Sequence, residues 1–543
     1  MRLRVLARVA PTLTLALFYF GVGLFMIYGT GMIYGDSLSR IADARIAIGG
    51  RDPHLGALGT IFGPLPALLA FPLVALRPLW PDLVTRGVAA VVVSSAAMAA
   101  ASSQLVGIAV DRGWKRWEAR LGAGFFSLHP FIILYAANGM GEALFLVFLF
   151  RLVRMLLRWN HSGATDALTS AAGALALMYL VRYEGAIVGA AAVGFVALRA
   201  WLSARDDSRR DRVQHVLMTS AVVAFPLAMT VIGWSLYSWV LTGELLAQLT
   251  SLYGNRAILV LEGAQGAGFG TGLAHAFAFA PGLALLLPIA AILSWLRRDS
   301  DLLVMLAILG PALLFSIVSI AVGATFPFMR FTVVALVIAM VTAILLRRRV
   351  EPRDVWRSRF RPSVGRIARS SLATTMSAAL IALGIPTSLA AMNDPQLGTQ
   401  DRAVVASFVG AIGPRDRQTL RTFSTERYVA DFLDSELSAE DLILVDTMYG
   451  FAIVAATEYP ERFIVPSDRL FQRALADPSR HGITHMLAVP REGRGAADAL
   501  NRRFPTLYDT GADIGLLMME VRNDGDQPDW RIFLVRPEES ETP

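Results

Sequence analysis

The chain has 543 residues, 55% of them hydrophobic and 17% charged, with a mean hydropathy of +0.52 and a net charge of +7. A soluble domain of ordinary composition is less apolar and carries about 25% charged residues, so a wholly soluble globular protein is excluded. Cysteine is absent, which excludes disulfides and thiolate metal sites. The basic residues cluster in short loops between apolar runs, the pattern of topology determinants and not of a nucleic-acid surface.

Apolar runs of roughly 20 residues are long enough to cross a bilayer. The first, about 9–33, follows Arg2, Arg4 and Arg8. It resembles a signal peptide but is long and lacks a small-x-small cleavage site, so the reading is an uncleaved first membrane helix. Arginine-rich loops at the N-terminus, 112–120, 151–158, 199–212, 297–298 and 347–369 are expected on the cytoplasmic side. An even number of crossings must then separate each from the next. The polar segment Tyr34–Arg45 after the first helix therefore falls on the outer face. The run 58–79 contains Pro64, Pro66, Pro72 and Pro78. A helix-interior proline costs about 3 kcal/mol, so this run is read as interfacial or re-entrant and 87–110 as the crossing.

Further along, runs 121–137 and 141–158 flank the turn Asn138–Glu142, and runs 168–181 and 185–201 flank Arg182-Tyr183-Glu184. Runs 216–241 and 274–296 flank an outer loop, 242–273. Runs 302–322 and 328–346 flank a turn at Gly323–Pro327, and 371–391 carries the chain outside. These give about eleven crossings, with the N-terminus cytoplasmic and the C-terminus extracytoplasmic. Residues 392–543 read as a soluble domain with strand candidates at Leu442–Val445, Phe463–Val465, His485–Val489, Gly515–Val521 and Ile532–Val535, and a helix at Ser467–Ala476. That alternation predicts a small α/β sheet, and about 150 residues suffice for one core. The fold class is thus a polytopic α-helical membrane protein of about eleven helices, 1–391 with a first outer loop of about 35–86, followed by an extracytoplasmic α/β domain, 392–543.

This topology collects charges at one depth. Loop one supplies Asp36, Arg40, Asp43, Arg45, Arg51, Asp52 and His54; the short turns supply Asn138, Glu142, Arg182 and Glu184; the long loop supplies Glu244, Tyr253, Asn255, Arg256 and Glu262; Arg330 stands at the end of a late crossing. A charge at a membrane-helix centre costs roughly 2.5–3.5 kcal/mol, so intramembrane charges usually have a partner or a function. Asp36 and Asp43 lie seven residues apart, two helical turns, too far to share one substrate oxygen. One is read as a base and the other as a structural partner of Arg40 or Arg45. Other signals are weaker. Gly266–Gly272 reads as a flexible outer loop before a phosphate cradle. His54, His129, His161, His275, His481 and His485 show no metal-ligand spacing. Asp446 reads first as a helix cap, and Trp234, Tyr237 and Trp239 as an aromatic belt.

The order of these features resembles the GT-C superfamily of integral-membrane glycosyltransferases, which includes protein mannosyltransferases and the lipid A aminoarabinose transferase type. A first helix is followed by the outer-loop acid Asp36, then Ala44-Arg45-Ile46-Ala47-Ile48-Gly49-Gly50-Arg51-Asp52-Pro53, then Gly63-Pro64-Leu65-Pro66. Pro130 with Asn138–Glu142 is similar to the family's acidic turn, and Arg182-Tyr183-Glu184-Gly185 to its Arg-x-Glu-Gly turn. Thr242-Gly243-Glu244 opens a large outer loop, and Arg330-Phe331 stands where an Arg-Tyr pair is common. The likeness covers roughly 10–346. Ser37 follows Asp36 where many relatives have a second acid.

The resemblance implies transfer of a sugar from a polyprenyl-phosphate donor to a glycolipid, polysaccharide or protein acceptor of the cell envelope. The expected place is the outer face of a bacterial cytoplasmic membrane. Asp36 is expected to be the catalytic base. Arg330, Arg182 and Arg256, with Glu142, Glu184, Asp43 and Arg45, are expected around the donor's phosphate. The partners are membrane lipid, the lipid-linked sugar and the envelope acceptor; no nucleic acid is expected. No cofactor or metal ligand is assigned, and a divalent metal is left open. The alternative is a lipid-linked glycan transporter or envelope assembly factor, which would show paired, inverted-topology halves.

Overall fold

The computed structural model describes residues 2–206, 208–263, 266–347, 378–379 and 381–536. Among them, six helices are long and apolar enough to cross a membrane: Val9–Thr30, Val88–Asp111, Gly185–Ser203, Arg209–Thr242, Asp301–Ala321 and Met329–Leu346. Two bent pairs, Arg116–Ser127 with Pro130–Ala137 (76°) and Gly268–Phe279 with Leu283–Arg297 (74°), raise the total to eight if each is one span. The expected runs 121–137 and 274–296 are therefore broken helices. A proline stands at each break, Pro130 at the first position of the second helix and Pro281 between the two helices, and neither can continue the preceding backbone ladder. The difference from eleven has further physical causes. The helix Glu142–Ser162 carries Arg151, Arg154 and Arg158, and Thr165–Tyr179 is only 15 residues long. Of the run 371–391, residues 371–377 and 380 lie outside the described residues, as does most of the loop 347–369; Gly384–Asn393 is helical.

The helix Glu142–Ser162 rises about 30 Å over its 21 residues, so its two ends hold well-separated polar clusters. At the far end Arg112, 4% exposed, pairs with Asp299 and Asp301 and donates to the carbonyls of Leu345 and Arg347 at 3.1 Å each. His161 Nε2 sits 2.6 Å from Asp301. His161, Asp299 and Asp301 are close enough to share an ion, and the Arg112 guanidinium pairs with both carboxylates. The near end, at Glu142, holds the acidic turns.

The 58–79 run follows a short turn, Leu55–Leu58, and holds a ten-residue helix, Leu65–Val74. Ten residues span about 15 Å, too short to cross. The segment docks on the Arg182 turn instead: Leu65 N donates to Leu180 O at 3.1 Å and the Tyr183 hydroxyl to Thr60 O at 3.0 Å. A Cβ on Gly63 would come within 2.3 Å of Leu180 O, so only glycine permits this approach. The glycine-rich stretch expected as a loop opens a helix at Gly268. Trp234 and Tyr237 stack on each other and bond to Tyr183 and Leu55 O. Trp234 is buried where a belt was expected, Tyr237 is half-buried beside it, and Trp239 is exposed.

The C-terminal part forms a five-stranded sheet, order β2-β1-β3-β5-β4, from β1 Ile443–Leu444, β2 Phe463–Ile464, β3 His485–Ala488, β4 Gly515–Val521 and β5 Trp530–Val535. β1, β2 and β3 are parallel; β5 pairs antiparallel with β3 and β4. Alternate residues face opposite layers. Ile443, Phe463, Leu487 and Ile532 share a core with Ile41, Ala44 and Ala67 of the segment after the first span. Leu444, Ile464, Met486 and Phe533 pack on the helices Phe471–Ala476 and Ala499–Arg503. Met392, Ala403, Val404, Val405 and Leu420 instead belong to the core of the membrane half.

Polar bridges fasten the two halves. Arg45 and Arg77 donate to Thr457 O at 2.9 and 3.1 Å, at the C-terminal end of the helix Thr447–Ala456, where cations complement the dipole. Arg469 Nε donates to Asp52 at 2.8 Å. From the segment 242–263, the Tyr253 hydroxyl donates to Asp446 Oδ2 at 2.6 Å, and Glu262 pairs with Arg494 at 2.5 Å. Asp446 also caps its helix, accepting from Met448 N at 2.7 Å, and from Ala499 N at 2.6 Å. A hydrogen bond to a charged group contributes about 1.5–3 kcal/mol, and about 1.4 kcal/mol is tenfold. Tyr253→Phe should therefore speed tryptic cleavage at the exposed Arg256 about tenfold or more; an unchanged cleavage rate would show that the loop is held by other contacts.

Candidate functional site

The first span ends in a π turn, Met26–Thr30, closed by Gly31 at φ 83°. A Cβ there would meet Leu420 O at 2.6 Å. Tyr34 then caps the helix Gly35–Gly49, whose first turn carries Asp36, where a negative charge suits the dipole. Asp36, Arg40 and Asp43 follow at i, i+4 and i+7 and share one face.

Arg330 Nη1 donates to Asp36 Oδ2 at 3.0 Å, and its Nε lies 3.7 Å from Glu142 Oε1. Arg182 pairs with the same Glu142 oxygen and forks onto Glu184 at 2.5 and 3.3 Å. Four separate segments thus build a continuous chain, Asp36–Arg330–Glu142–Arg182–Glu184. The Phe331 ring centroid lies 5.1 Å from each guanidinium carbon of Arg182 and Arg330, within cation–π range. The acidic turn between them requires glycine at 139: φ is 76°, Gly139 N bonds Ser94 Oγ at 3.2 Å, and a Cβ would meet Ser37 Oγ at 2.2 Å.

The chain is buried at its centre and open at its ends. Side-chain exposure is 3% for Glu142 and 9% for Arg330, against 34% for Asp36 and 31% for Glu184. Burial pushes the Asp36 carboxyl up, but the guanidinium groups of Arg330 and Arg40 outweigh it and hold Asp36 below the usual carboxylate range. Burial likewise opposes ionisation of Glu184, and Arg182 overcomes it. Several buried polar atoms beside this chain lack a hydrogen bond: Arg40 Nε and Nη1, Glu142 Oε2, Arg330 Nε and Asn138 Nδ2. An unsatisfied buried group costs about 1–3 kcal/mol, so such a cluster marks a place that a polar ligand would complete.

The structure therefore brings together Asp36, Glu142, Arg182, Glu184 and Arg330. Asp43 continues the Asp36 face; burial, partly offset by Arg40, raises its carboxyl to about 8. Arg45 lies apart, 8% exposed, bonded to Thr457 O and Glu458 O of the sheet domain. Arg256 is exposed in the short helix Asn255–Leu261, with no ion pair among the described residues. Arg40 joins the site from a position read as a structural partner. Its guanidinium lies 4.7 Å from the Phe62 ring centroid and is 9% exposed. Its spacing of four from Asp36 was the available signal. Asp401 also borders the site, 365 positions after Asp36, with no motif to announce it.

No protein-family model matches the chain. No curated protein matches it either. Two solved structures of ArnT from Cupriavidus metallidurans align over nearly the whole chain. The complex bound to undecaprenyl phosphate covers 97% of this chain and 98% of its own, at TM-score 0.52 and 13% identity. The apo state covers 98% of both, at TM-score 0.53 and 13% identity. The chain has the GT-C fold. The Archaeoglobus fulgidus oligosaccharyltransferase tethered with an acceptor peptide aligns more loosely, at TM-score 0.45 and 11% identity, over 88% of this chain and 69% of its own. The GT-C likeness read from Asp36, Arg182-Tyr183-Glu184-Gly185 and Arg330 is thus met at the level of the fold.

Proposed function

We propose that this protein is a membrane glycosyltransferase that moves a sugar from a polyprenyl-phosphate donor to a cell-envelope acceptor. The reaction takes place at the outer face of a bacterial cytoplasmic membrane, with the N-terminus cytoplasmic and the sheet domain outside. The observation that carries this reading is a one-third-exposed carboxylate, Asp36, bonded to a buried arginine network with open donors. The same fold binds undecaprenyl phosphate in ArnT, which supports the donor class.

Asp36 takes the proton of the acceptor hydroxyl. The oxygen attacks the anomeric carbon as the bond from that carbon to the phosphate oxygen breaks. The phosphate monoester leaves with the electron pair, and a single in-line displacement inverts the centre. Of the guanidinium groups, Arg182 and Arg330 are committed to carboxylates, whereas Arg40 keeps two donor nitrogens unpaired. Arg40 is the group best placed to take the phosphate, with Arg330 and Arg182 sharing the charge through fork geometry. Glu142 and Glu184 hold those two arginines in place. The scheme needs no cofactor beyond the lipid-linked sugar.

The test is release of free polyprenyl phosphate by the purified chain given a lipid-linked sugar and an envelope extract as acceptor. No release with any polyprenyl-phosphate sugar would refute the reading. Arg40→Gln should weaken polyprenyl-phosphate binding about tenfold or more, the worth of one or two charge-assisted hydrogen bonds. Wild-type affinity in that variant would move the phosphate elsewhere in the site.

A further inference from the structure

Asp401 is a buried carboxylate that the scheme above does not use. It stands at the start of the helix Arg402–Val409 and is 1% exposed. An aspartate at that position ordinarily accepts from the backbone N–H groups of its own first turn; this one makes no such bond. It turns toward the site instead. Its Oδ1 accepts from the Tyr135 hydroxyl at 3.0 Å and from the Tyr34 hydroxyl at 3.4 Å.

Both tyrosines lead directly into the site. Tyr34 precedes Asp36 by two residues, and its carbonyl accepts from Ser37 N and Leu38 N at 3.1 and 3.0 Å, which starts the Asp36 helix. Tyr135 lies on the helix Pro130–Ala137, which runs into the turn Asn138–Met140. Met140 Sδ is 3.9 Å from Arg330 Nη1, the nitrogen that bonds Asp36. The charged groups facing Asp401 are Arg330 and Glu142. One acceptor oxygen therefore ties together the residue that opens the Asp36 helix and the helix that delivers the acidic turn.

We infer that Asp401 is a positioning residue for Asp36. It acts through Tyr34 and Tyr135, holding the Asp36 carboxylate and Arg330 in register. Asp401 belongs to the segment that leads into the sheet domain, so catalytic geometry depends on chain beyond the stretch of family likeness. This inference rests on the transferase reading for its kinetics but not for its structural readout.

The experiment compares Asp401→Ala, Asp401→Asn and Tyr135→Phe in the full-length chain. A small misplacement at a reacting centre costs up to about 100-fold, so Asp401→Ala should lower kcat about 10- to 100-fold with KM for the lipid-linked sugar nearly unchanged. Asp401→Asn keeps an acceptor oxygen and should recover most of that loss. Tyr135→Phe combined with Asp401→Ala should cost little more than Asp401→Ala alone, because the two act through one bond. Amide exchange should quicken at residues 34–40 and stay unchanged in the sheet domain. Wild-type kcat and wild-type exchange at 34–40 in Asp401→Ala would overturn the inference. So would faster exchange throughout the chain in both the Ala and Asn variants, which would mark a role in folding alone. If the wild-type chain transfers no sugar, the functional reading falls, and exchange at 34–40 still decides the role of Asp401.

Discussion

Asp36→Asn is expected to lower kcat by about 10²–10⁴-fold, the usual worth of a positioned general base, while polyprenyl-phosphate binding persists. Asn keeps the size of the side chain and can still accept from Arg330, which now bonds Asp36 at 3.0 Å. What it lacks is the capacity to take a proton. Retained turnover would remove Asp36 from the chemistry. The wild-type pH profile carries a second expectation. In the free protein Arg330 and Arg40 hold Asp36 below the usual carboxylate range against burial, so its base form is present down into the acid. A weakly basic carboxylate is a poor proton acceptor. Donor phosphate drawing on the same guanidinium groups would weaken their hold and raise that pKa. The acid limb of kcat, which reports the complex, should therefore lie at higher pH than the acid limb of kcat/KM, which reports the free enzyme.

Arg182→Met is expected to cost about 3–5 kcal/mol of stability, because it leaves the buried Glu142 with only its longer 3.7 Å contact to Arg330 and leaves Glu184 without its partner. Arg182 pairs with Glu142, whose side chain is 3% exposed, and forks onto Glu184. Met fills similar volume without the charge. The measurement is thermal unfolding in detergent. Adding Glu142→Gln should restore part of the loss, since it removes the stranded charge, and the two changes should be strongly non-additive. A melting curve for Arg182→Met that overlays the wild type would mean that Glu142 finds another partner or is hydrated. The two expectations separate chemistry from scaffold: Asp36→Asn should spare stability, and Arg182→Met should not.

Local signals in the sequence were enough for the elements and for the face on which the charges gather. The five strands rose from apolar runs flanked by turn residues and appear in the sheet at His485–Ala488 and its neighbours. The prolines at 64, 66, 72 and 78 foretold a segment too short to cross, because a missing N–H acts within one turn. Asp36, Glu142, Arg182, Glu184 and Arg330 were legible as a group because topology alone assigns them one depth. The span count was less legible. Pro130 and Pro281 break helices that hydropathy averages into continuous runs, and hydropathy does not register a 76° or 74° bend.

By itself, then, the sequence determined which residues gather at one depth, since charge is costly in lipid and the turns between apolar runs collect it. Only the tertiary structure decided who pairs with whom at that depth. Arg45 reads like a site residue, yet its bonds go to Thr457 O in a domain more than 400 positions away. Arg40 reads like a partner of Asp43, yet its unpaired nitrogens lie in the site beside Glu142. Asp401 carries no motif and becomes part of the site through two tyrosine hydroxyls. Depth in a membrane is a one-dimensional property that hydropathy and loop charge encode locally. Pairing is a three-dimensional property, fixed by helix rotation and packing that no local stretch of residues contains.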